Sequence, residues 1–260
     1  MDLQLAGKLV YISAGAWGIG EAAADRMTQE GASVIVGDND ETALQAKVTR
    51  WTGGVAADLA TAAGVDHAVS YVRRTFGRAP DILINNLGVG DSADFERLPD
   101  ERWARSFEIN LMGSVRTCRA LVPEMAARGG AAVVITGSDL VKQPEPGLMD
   151  YGAFKAGLLY FAKALAKQYA PRVRVNTVLP GPVWTRMWTR PGGLVDQLVS
   201  RYGVEDRDAA VRRFVEDRYL PLGIGRPEDV ANAIAFLASP RAGFITGATL
   251  DIGGTLRGLI

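Results

Sequence analysis

Histidine and cysteine are nearly absent from this sequence, which contains one of each, His67 and Cys118. A lone cysteine excludes an internal disulfide, and a lone histidine excludes histidine-rich metal sites and argues against a serine–histidine hydrolase, so we predict no metal. Cys118 lies in the apolar segment VRTCRALVPEM and is interpreted as a core or interface thiol. His67 is interpreted as a residue without a functional role.

Net charge is missing as well, because 29 lysine and arginine residues balance 29 aspartate and glutamate residues. Without a basic or acidic excess, neither nucleic acid nor an anionic membrane is predicted as a partner. No apolar run reaches the ~18 residues of a membrane helix, and the N-terminus MDLQLAGKLVYIS does not have the pattern of a signal peptide. We therefore expect a cytoplasmic protein whose 260 residues form one domain.

What the sequence does contain is a repeated alternation of short apolar runs and segments of helical spacing. This alternation predicts an α/β fold, in which a mostly parallel sheet is covered by helices on both faces. Ligands of such sheets bind outside the carboxyl ends of the strands. The predicted strands are 9–13, 33–37, 54–58, 81–85, 131–138, 173–179 and 248–252, and the polar residues at strand ends are Asp38, Asp58, Asn86, Ser138 and Thr185.

The first strand runs into the glycine-rich turn 13–20, SAGAWGIG, and then into a helical segment. This order is typical of a phosphate-binding site, because glycine lets the backbone approach a pyrophosphate and the helix N-terminus offers free N–H groups. Asp38 ends the second strand, where a carboxylate binds both ribose hydroxyls of adenosine and repels a 2′-phosphate, which favours NAD over NADP. An N-cap or turn aspartate is the alternative interpretation of Asp38.

Two further polar residues have a functional and a structural interpretation of similar weight. Asp58 either contacts an adenine amino group or caps the helix that starts near Thr61. Asn110 lies in an apolar stretch, and an unpaired buried amide costs about 1–3 kcal/mol, so it needs a partner. That partner is either a bound water beneath Lys155 or a neighbouring helix turn.

Tyr151 and Lys155 are four residues apart in YGAFKAGLLYFAKALAKQYA, whose apolar spacing predicts a helix, so they share one helix face. A positive charge beside a phenol favours the phenolate, and moving the pKa of the phenol from ~10 to neutrality requires roughly 4 kcal/mol. Such a tyrosine transfers a proton to or from an alcohol oxygen. The Ser138 hydroxyl, at the end of the preceding strand, donates to a developing alkoxide. By itself, a Tyr-x-x-x-Lys pair is usually a surface pair.

Residues 186–219 are an insertion after a strand end, and an insertion of this length predicts a lid over the site. Trp184, Met187 and Trp188 at its start predict an apolar, aromatic-tolerant substrate wall. Packing of these side chains against the body of the protein is the alternative.

Together these motifs resemble the short-chain dehydrogenase/reductase family, in its single-domain branch, over residues 7–254. The resemblance implies a single-domain, doubly wound Rossmann-type fold with a seven-stranded parallel sheet. The matching features are Gly18-Ile19-Gly20, Asp58, the Asn-Asn-x-Gly segment at 85–88, Asn110, Ser138, Tyr151 with Lys155, Pro180-Gly181, Thr185 and the closing segment FITGATLDIGG.

The resemblance also implies a role for each site residue. Tyr151 is the acid/base, and Lys155 lowers its pKa and holds the nicotinamide ribose. Ser138 polarises the substrate oxygen, and Asn110 positions a water. The implied cofactor contacts are Ser13, Gly15, Trp17, Gly18, Ile19, Gly20, Asp38, Asp58, Leu59, Asn86, Gly88, Tyr151, Lys155, Pro180, Gly181, Val183 and Thr185, and the implied substrate contacts are Ser138, Leu140, Tyr151, Trp184, Met187 and Trp188.

The expected function is NAD-dependent interconversion of a secondary alcohol and a ketone on an apolar, aromatic or cyclic small molecule. The resemblance implies a homotetramer or homodimer, packed through helices near 100–127 and 151–170. Reduction of 3-oxoacyl thioesters is the alternative function, because such substrates need basic residues around the mouth of the site, and Arg186, Arg190 and Arg201 could supply them. A non-catalytic cofactor-binding regulator is a weaker alternative. The sequence departs from the family at Ala14, whose methyl crowds the turn unless Gly15 relieves it, and at Leu87, which replaces an alanine near the cofactor.

Overall fold

The computed structural model describes residues 1–254, which form a seven-stranded parallel sheet. The strands are arranged in the order β3-β2-β1-β4-β5-β6-β7, so the chain winds outward from β1 in both directions. The predicted doubly wound α/β fold is therefore confirmed. The strands are β1 (Leu9–Ser13), β2 (Ser33–Asp38), β3 (Gly53–Ala56), β4 (Ile82–Asn85), β5 (Ala131–Thr136), β6 (Val173–Pro180) and β7 (Thr249–Ile252).

Helices connect the strands and cover both faces of the sheet. None of the helices between residues 1 and 254 combines the length and the apolar character needed to cross a bilayer. A π-helical turn, Glu108–Met112, separates the fourth and fifth helices. The helices are α1 (Gly18–Gln29), α2 (Glu41–Lys47), α3 (Ala62–Phe76), α4 (Asp100–Phe107), α5 (Gly113–Arg128), α6 (Met149–Tyr169), α7 (Arg186–Thr189), α8 (Leu194–Tyr202), α9 (Arg207–Asp217) and α10 (Pro227–Ala238).

Alternating strand residues divide the apolar core into two layers, because successive side chains of a strand point to opposite faces. Val10 and Ile12 of β1 lie in the layer that contains α1 and α10, whereas Tyr11 lies in the layer that contains α3 and α5. Both layers are closed to solvent, since these three side chains are fully buried. The carboxyl ends of the strands are left as the accessible edge of the sheet.

The structure shifts several strand ends by one or two residues from the prediction and places the start of α3 beside Thr61, as expected. β3 ends at Ala56, two residues earlier than expected, because the Asp58 carboxylate accepts the Ala60 N–H and turns the chain away from the sheet. α3 starts at Ala62 because the Thr61 hydroxyl caps it, accepting the Gly64 N–H at 3.0 Å.

Residues 186–219 form α7, α8 and α9 around a small apolar cluster of their own. Trp188, Val195, Leu198 and Ala210 are buried at its centre. This segment follows β6 and lies beside the carboxyl ends of the strands, where the candidate site residues converge.

Candidate active site

The glycine turn after β1 is tightly packed against its neighbours. A Cβ atom at Gly20 would lie 2.3 Å from the Ala14 carbonyl oxygen and 2.7 Å from Asn86 Nδ2, so only glycine fits there. Trp17 precedes α1 without making a side-chain cap. The first N–H groups of α1 therefore have no capping side chain within residues 1–254, which fits a bound pyrophosphate.

Ala14 adopts a left-handed backbone conformation, with φ of +52°. The sequence left open whether Gly15 relieves the crowding caused by the Ala14 methyl group. Gly15 is not among the residues with positive φ. The left-handed conformation falls on Ala14 itself, where an L-residue with a Cβ costs roughly 1–2 kcal/mol.

The Asp38 carboxylate, at the end of β2, joins the glycine turn to the loop before α2. One oxygen accepts the Ala16 N–H at 2.9 Å, and the other accepts the Asp40 N–H at 3.0 Å. Asp40 is the residue that caps α2, through the Ala43 N–H at 3.0 Å. Asp38 is thus not the helix cap but an oriented carboxylate beside the turn.

Asp40, Lys47 and Arg186 surround Trp17, and the sequence motifs did not predict this cluster. Trp17 Nε1 and Arg186 Nη1 both donate to Asp40 Oδ2 at 3.0 Å, and Lys47 Nζ lies 3.9 Å from the centre of the Trp17 ring. The Ala43 N–H above all, then Trp17 and Arg186, hold the pKa of Asp40 below its ordinary value. Arg186 is remote from the other two in sequence, so local spacing contained no signal for this contact.

The segment after β4 connects the glycine turn to Lys155. Asn86 donates its side-chain amide to the Ala14 carbonyl at 3.0 Å. A Cβ at Gly88 would lie 2.8 Å from Lys155 Nζ. The Leu87 side chain fills the space beside Gly113, where a Cβ would lie 2.4 Å from Leu87 Cδ2. The larger side chain at this departure from the family therefore packs against α5.

Ser138, Tyr151 and Lys155 meet in one buried corner at the carboxyl end of β5. Ser138 and Lys155 are 5% and 1% exposed, and the Ser138 hydroxyl is near enough to the Tyr151 phenol to lower its pKa. Lys155 Nζ lies 5.7 Å from the centre of the Tyr151 ring and donates to the carbonyl oxygens of Leu87 at 3.0 Å and Thr136 at 2.9 Å. The helix face predicted from the sequence thus brings phenol, hydroxyl and ammonium together.

The protein groups alone do not make the Tyr151 phenol acidic. Burial, and then the charge of Asp139, raise the pKa of Tyr151 to about 12, although the Ser138 hydroxyl lowers it. Burial also lowers the pKa of Lys155 to about 7. Both shifts have the same reason: a charged form loses hydration in a buried site.

Asn110 lies in the π-helical turn and is fully buried. Its side-chain oxygen accepts the Val89 N–H at 2.9 Å, and its amide donates to the Val89 carbonyl and to Ser106 Oγ, both at 3.0 Å. These contacts match the structural interpretation that we left open, with the segment after β4 as the partner. The water-positioning role of Asn110 stays a prediction.

The remaining predicted cofactor contacts differ in their surroundings. Asp58 is exposed and shapes a turn, whereas Leu59 is 3% exposed. Thr185 contacts the glycine turn, since a Cβ at Gly18 would lie 3.1 Å from its methyl group. Pro180, Gly181 and Val183 continue from β6, where the Gly181 N–H donates to the Ile252 carbonyl at 3.1 Å.

The predicted substrate wall is divided between the site and the interior of the 186–219 segment. Trp184 is 38% exposed, whereas Trp188 is only 6% exposed and makes edge-to-face contacts with Trp184 and Phe214. Met187 packs against the same cluster. Trp184 is therefore the accessible aromatic side chain, and Trp188 supports it from behind.

Acidic side chains from three loops pair with arginines of the 186–219 segment. Besides the Arg186–Asp40 pair, Arg190 pairs with Asp91, and Arg201 and Arg218 both pair with Glu145. Arg186, Arg190 and Arg201 thus each have a carboxylate partner, although Arg201 shares Glu145 with Arg218.

Comparison with known proteins agrees with this geometry. A family model described as Enoyl-(Acyl carrier protein) reductase matches residues 14–255. The uncharacterized oxidoreductase YvrD of Bacillus subtilis (strain 168) is 34% identical over 100% of both chains. The 3-oxoacyl-[acyl-carrier-protein] reductase FabG of Escherichia coli (strain K12) is 32% identical over 95% of this chain and 96% of that protein. The chain belongs to the short-chain dehydrogenase/reductase family.

Solved structures of other short-chain dehydrogenases/reductases have the same fold. The L-sorbose reductase from Gluconobacter frateurii, in complex with NADPH and L-sorbose, has a TM-score of 0.92 and 31% identity over 100% of both chains. The 3-ketoacyl-(acyl-carrier-protein) reductase from Brucella melitensis, in complex with NADH, has a TM-score of 0.81 and 30% identity, covering 96% of this chain and 98% of that one. This chain is thus an oxidoreductase of the family, and its neighbours bind nicotinamide cofactors of both kinds.

Proposed function

We propose that this short-chain dehydrogenase/reductase is NAD-dependent and interconverts a secondary alcohol and a ketone on an apolar, aromatic or cyclic small molecule. The observation that carries the proposal is the buried meeting of Ser138, Tyr151 and Lys155 beside the glycine turn. Trp184 and Met187 supply the apolar wall. Residues 186–219 act as a lid on a single catalytic domain.

The side chains of this chain handle the proton and the charge on the reacting oxygen. A nicotinamide cofactor, when bound, supplies the hydride chemistry. Tyr151 gives its proton to the ketone oxygen or takes one from the alcohol, and Ser138 donates to the same oxygen. Lys155 is held by two carbonyl oxygens and would hold the nicotinamide ribose of a bound cofactor. Because the pKa of Tyr151 is about 12, its phenol is protonated at neutral pH and acts as the acid in ketone reduction.

Turnover of cyclic and aryl secondary alcohols with NAD tests the proposal. We expect Tyr151→Phe to lower kcat/KM by about 10²–10⁴-fold, because it removes the proton donor, while NADH fluorescence still reports binding. Tyr71→Phe, at a tyrosine of α3 away from the site, is the matched control and should change neither quantity. NADH binding without turnover on any alcohol or ketone would instead favour a cofactor-binding regulator.

Asp38 supports the choice of NAD. Its carboxylate is oriented by two backbone N–H groups, at the position where adenosine ribose hydroxyls bind and a 2′-phosphate is repelled. We expect Asp38→Ala to weaken NAD binding and to reduce discrimination against NADP. An unchanged ratio of the two affinities would show that another residue selects the cofactor.

Reduction of 3-oxoacyl thioesters is the second candidate, favoured by the similarity to FabG proteins. The arginines that could attract an acyl carrier are paired with Asp40, Asp91 and Glu145, which argues against it. Oxidation of NADH or NADPH by acetoacetyl-CoA, compared with a simple cyclic ketone, separates the two candidates.

Assembly and location complete the proposal. We propose a homotetramer or homodimer packed through the helices near residues 100–127 and 151–170, where Phe107 and Tyr160 expose aromatic surface. The molar mass in solution, from light scattering, distinguishes these forms from a monomer. A cytoplasmic location is part of the proposal and is checked by cell fractionation.

A further inference from the structure

Asp139 follows Ser138 directly, and the proposed proton transfer does not use it. Asp139 Oδ1 accepts the Ser138 hydroxyl at 3.3 Å. Burial first, and the charge of Asp139 second, raise the pKa of Tyr151, so the carboxylate acts on both hydroxyl groups of the site. A negative charge there opposes phenolate formation. Its presence beside the reacting oxygen therefore calls for a different role.

The local fold does not require this carboxylate. The short 3₁₀ turn Asp139–Val141 is capped by Ser138, whose Oγ accepts the Leu140 N–H at 3.2 Å. Burial raises the pKa of Asp139 to about 6; the Ser138 hydroxyl, the charge of Arg218 and the N–H groups of Leu140 and Asp139 lower it. The carboxyl is thus ionised at neutral pH in a site that disfavours charge.

In the hydrogen bond between Ser138 and Asp139, the Ser138 hydroxyl donates the proton that catalysis needs for the substrate oxygen. A serine hydroxyl has one proton, and a proton donated to Asp139 is not donated to the substrate oxygen. A substrate that offers Asp139 a better donor releases the Ser138 proton for the reacting oxygen.

We propose that Asp139 binds a second hydroxyl of the substrate, on the carbon next to the reacting one, so that the substrates are vicinal diols and α-hydroxyketones. This inference rests on the proposed function and names its substrate class. The oxygens of a vicinal diol are about one hydrogen-bond length apart, as are Ser138 Oγ and Asp139 Oδ1. The carbon skeleton of the same substrate contacts the Trp184 wall.

Gln143, on the same loop, has a polar group left for a ligand. Its backbone N–H donates to the Asp139 carbonyl at 3.0 Å. Its Nε2 is buried without a hydrogen-bond partner within residues 1–254, and an unpaired buried donor is costly. A substrate rich in hydroxyl groups supplies acceptors of the kind that this amide lacks.

The test compares cyclohexanol with 1,2-cyclohexanediol, which differ by one hydroxyl, as substrates with NAD. We expect wild-type kcat/KM to favour the diol by about 10–100-fold, the effect of one hydrogen bond to a charged group. Asp139→Ala should abolish this preference through the KM of the diol; because Asp139 also acts on Ser138 and Tyr151, any accompanying change in kcat should be the same for cyclohexanol and for the diol. Asp139→Asn should give an intermediate preference, and Asp94→Asn, at an exposed carboxylate paired with Arg97, is the control.

A pH profile adds a readout that a structural role would not produce. The groups facing the carboxylate are Ser138, Tyr151 from α6 and Arg218 from the end of α9, which pairs with Glu145. Because the pKa of Asp139 is about 6, preference for the diol should increase between pH 5 and 7 in the wild type. It should stay constant in Asp139→Asn.

Two outcomes would overturn the inference: no preference for the diol in the wild type, or an equal loss of kcat/KM on both alcohols in Asp139→Ala. Thermal stabilisation of the NADH complex by diol and by cyclohexanol tests recognition without turnover. If neither alcohol is oxidised, the proposed function fails. A stabilisation specific to the diol and lost in Asp139→Ala would still support Asp139 as the recognition residue, and its absence would refute it.

Discussion

The sheet body and the 186–219 segment are stabilised by different forces. The body buries whole strands, and every residue of β5 is inaccessible to solvent. The segment has one small apolar cluster, and arginine–carboxylate pairs attach it to the loops of the body. Exposed pairs contribute little and are screened by salt. Opening the segment therefore costs less free energy than unfolding the sheet, as movement over a substrate requires.

The same contrast holds for buried and exposed cations. Lys155 is a cation inside the body whose hydrogen bonds go to carbonyl oxygens only. Arg186 and Arg201, at the edge of the segment, are more than half exposed and pair with carboxylates. Burial disfavours the charge of Lys155, whereas water and a counter-ion stabilise the charges of Arg186 and Arg201.

The largest expected effect is on the pH dependence of stability. Burial lowers the pKa of Lys155 from 10.5 to about 7. Between these values the unfolded chain holds a proton that the folded chain has lost, so the unfolding free energy contributed by this group increases with pH. Urea unfolding should show this increase in the wild type and its loss in Lys155→Met. Lys163→Met, at an exposed helix position, should retain it, and equal slopes in all three would contradict the prediction.

A substitution inside the glycine turn should lower the unfolding free energy of the sheet body. Gly20→Ala forces a Cβ to within 2.3 Å of a carbonyl oxygen, and overpacking of this kind costs about 1–3 kcal/mol. We expect a lower urea midpoint and weaker NADH binding. In Gly152→Ala the new Cβ meets nothing within 4 Å, and helix propensity predicts a gain of up to ~1 kcal/mol. Similar losses in both variants would show that the turn is not sterically restricted.

Removal of the carboxylate that pairs with both Arg201 and Arg218 should make residues 186–219 open more often and leave the stability of the sheet unchanged. Glu145→Gln removes the partner of Arg201 and Arg218, and each exposed pair contributes about 0.2–1 kcal/mol. Amide hydrogen exchange of residues 186–219 should become several-fold faster, and 1 M NaCl should produce the same change in the wild type. Exchange in β5 should not respond. Asp94→Asn is the control for a carboxylate outside these contacts.

The smallest expected effect is a gain in folding stability. Ala14→Gly relieves a left-handed conformation that costs roughly 1–2 kcal/mol but loses about 0.4–1 kcal/mol through the greater entropy of the unfolded chain. A net stabilisation of about 0.5–1 kcal/mol is expected, seen as a slightly higher Tm. A lower Tm would mean that the Ala14 methyl group makes favourable contacts in the turn.

Local patterns predicted the elements because they report interactions between near neighbours. Apolar spacing located every strand to within a few residues, and the four-residue separation of Tyr151 and Lys155 placed both on one helix face. The patterns failed where an unforeseen side chain ended or started an element. Asp58 bends the chain after β3, and Asp40 caps α2, a role that the sequence left open for Asp38.

The sequence by itself determined the layered parallel sheet, the glycine turn and the shared helix face of Tyr151 and Lys155, because alternation of apolar runs predicts a parallel sheet and residue spacing predicts helix faces. Only the tertiary structure decided which carboxylate each arginine contacts and that the half-buried Asp139 accepts the Ser138 hydroxyl. The directions in which Tyr151 and Lys155 titrate also emerged only there. These properties depend on burial and on contacts between residues far apart in the chain, and neither is contained in local spacing.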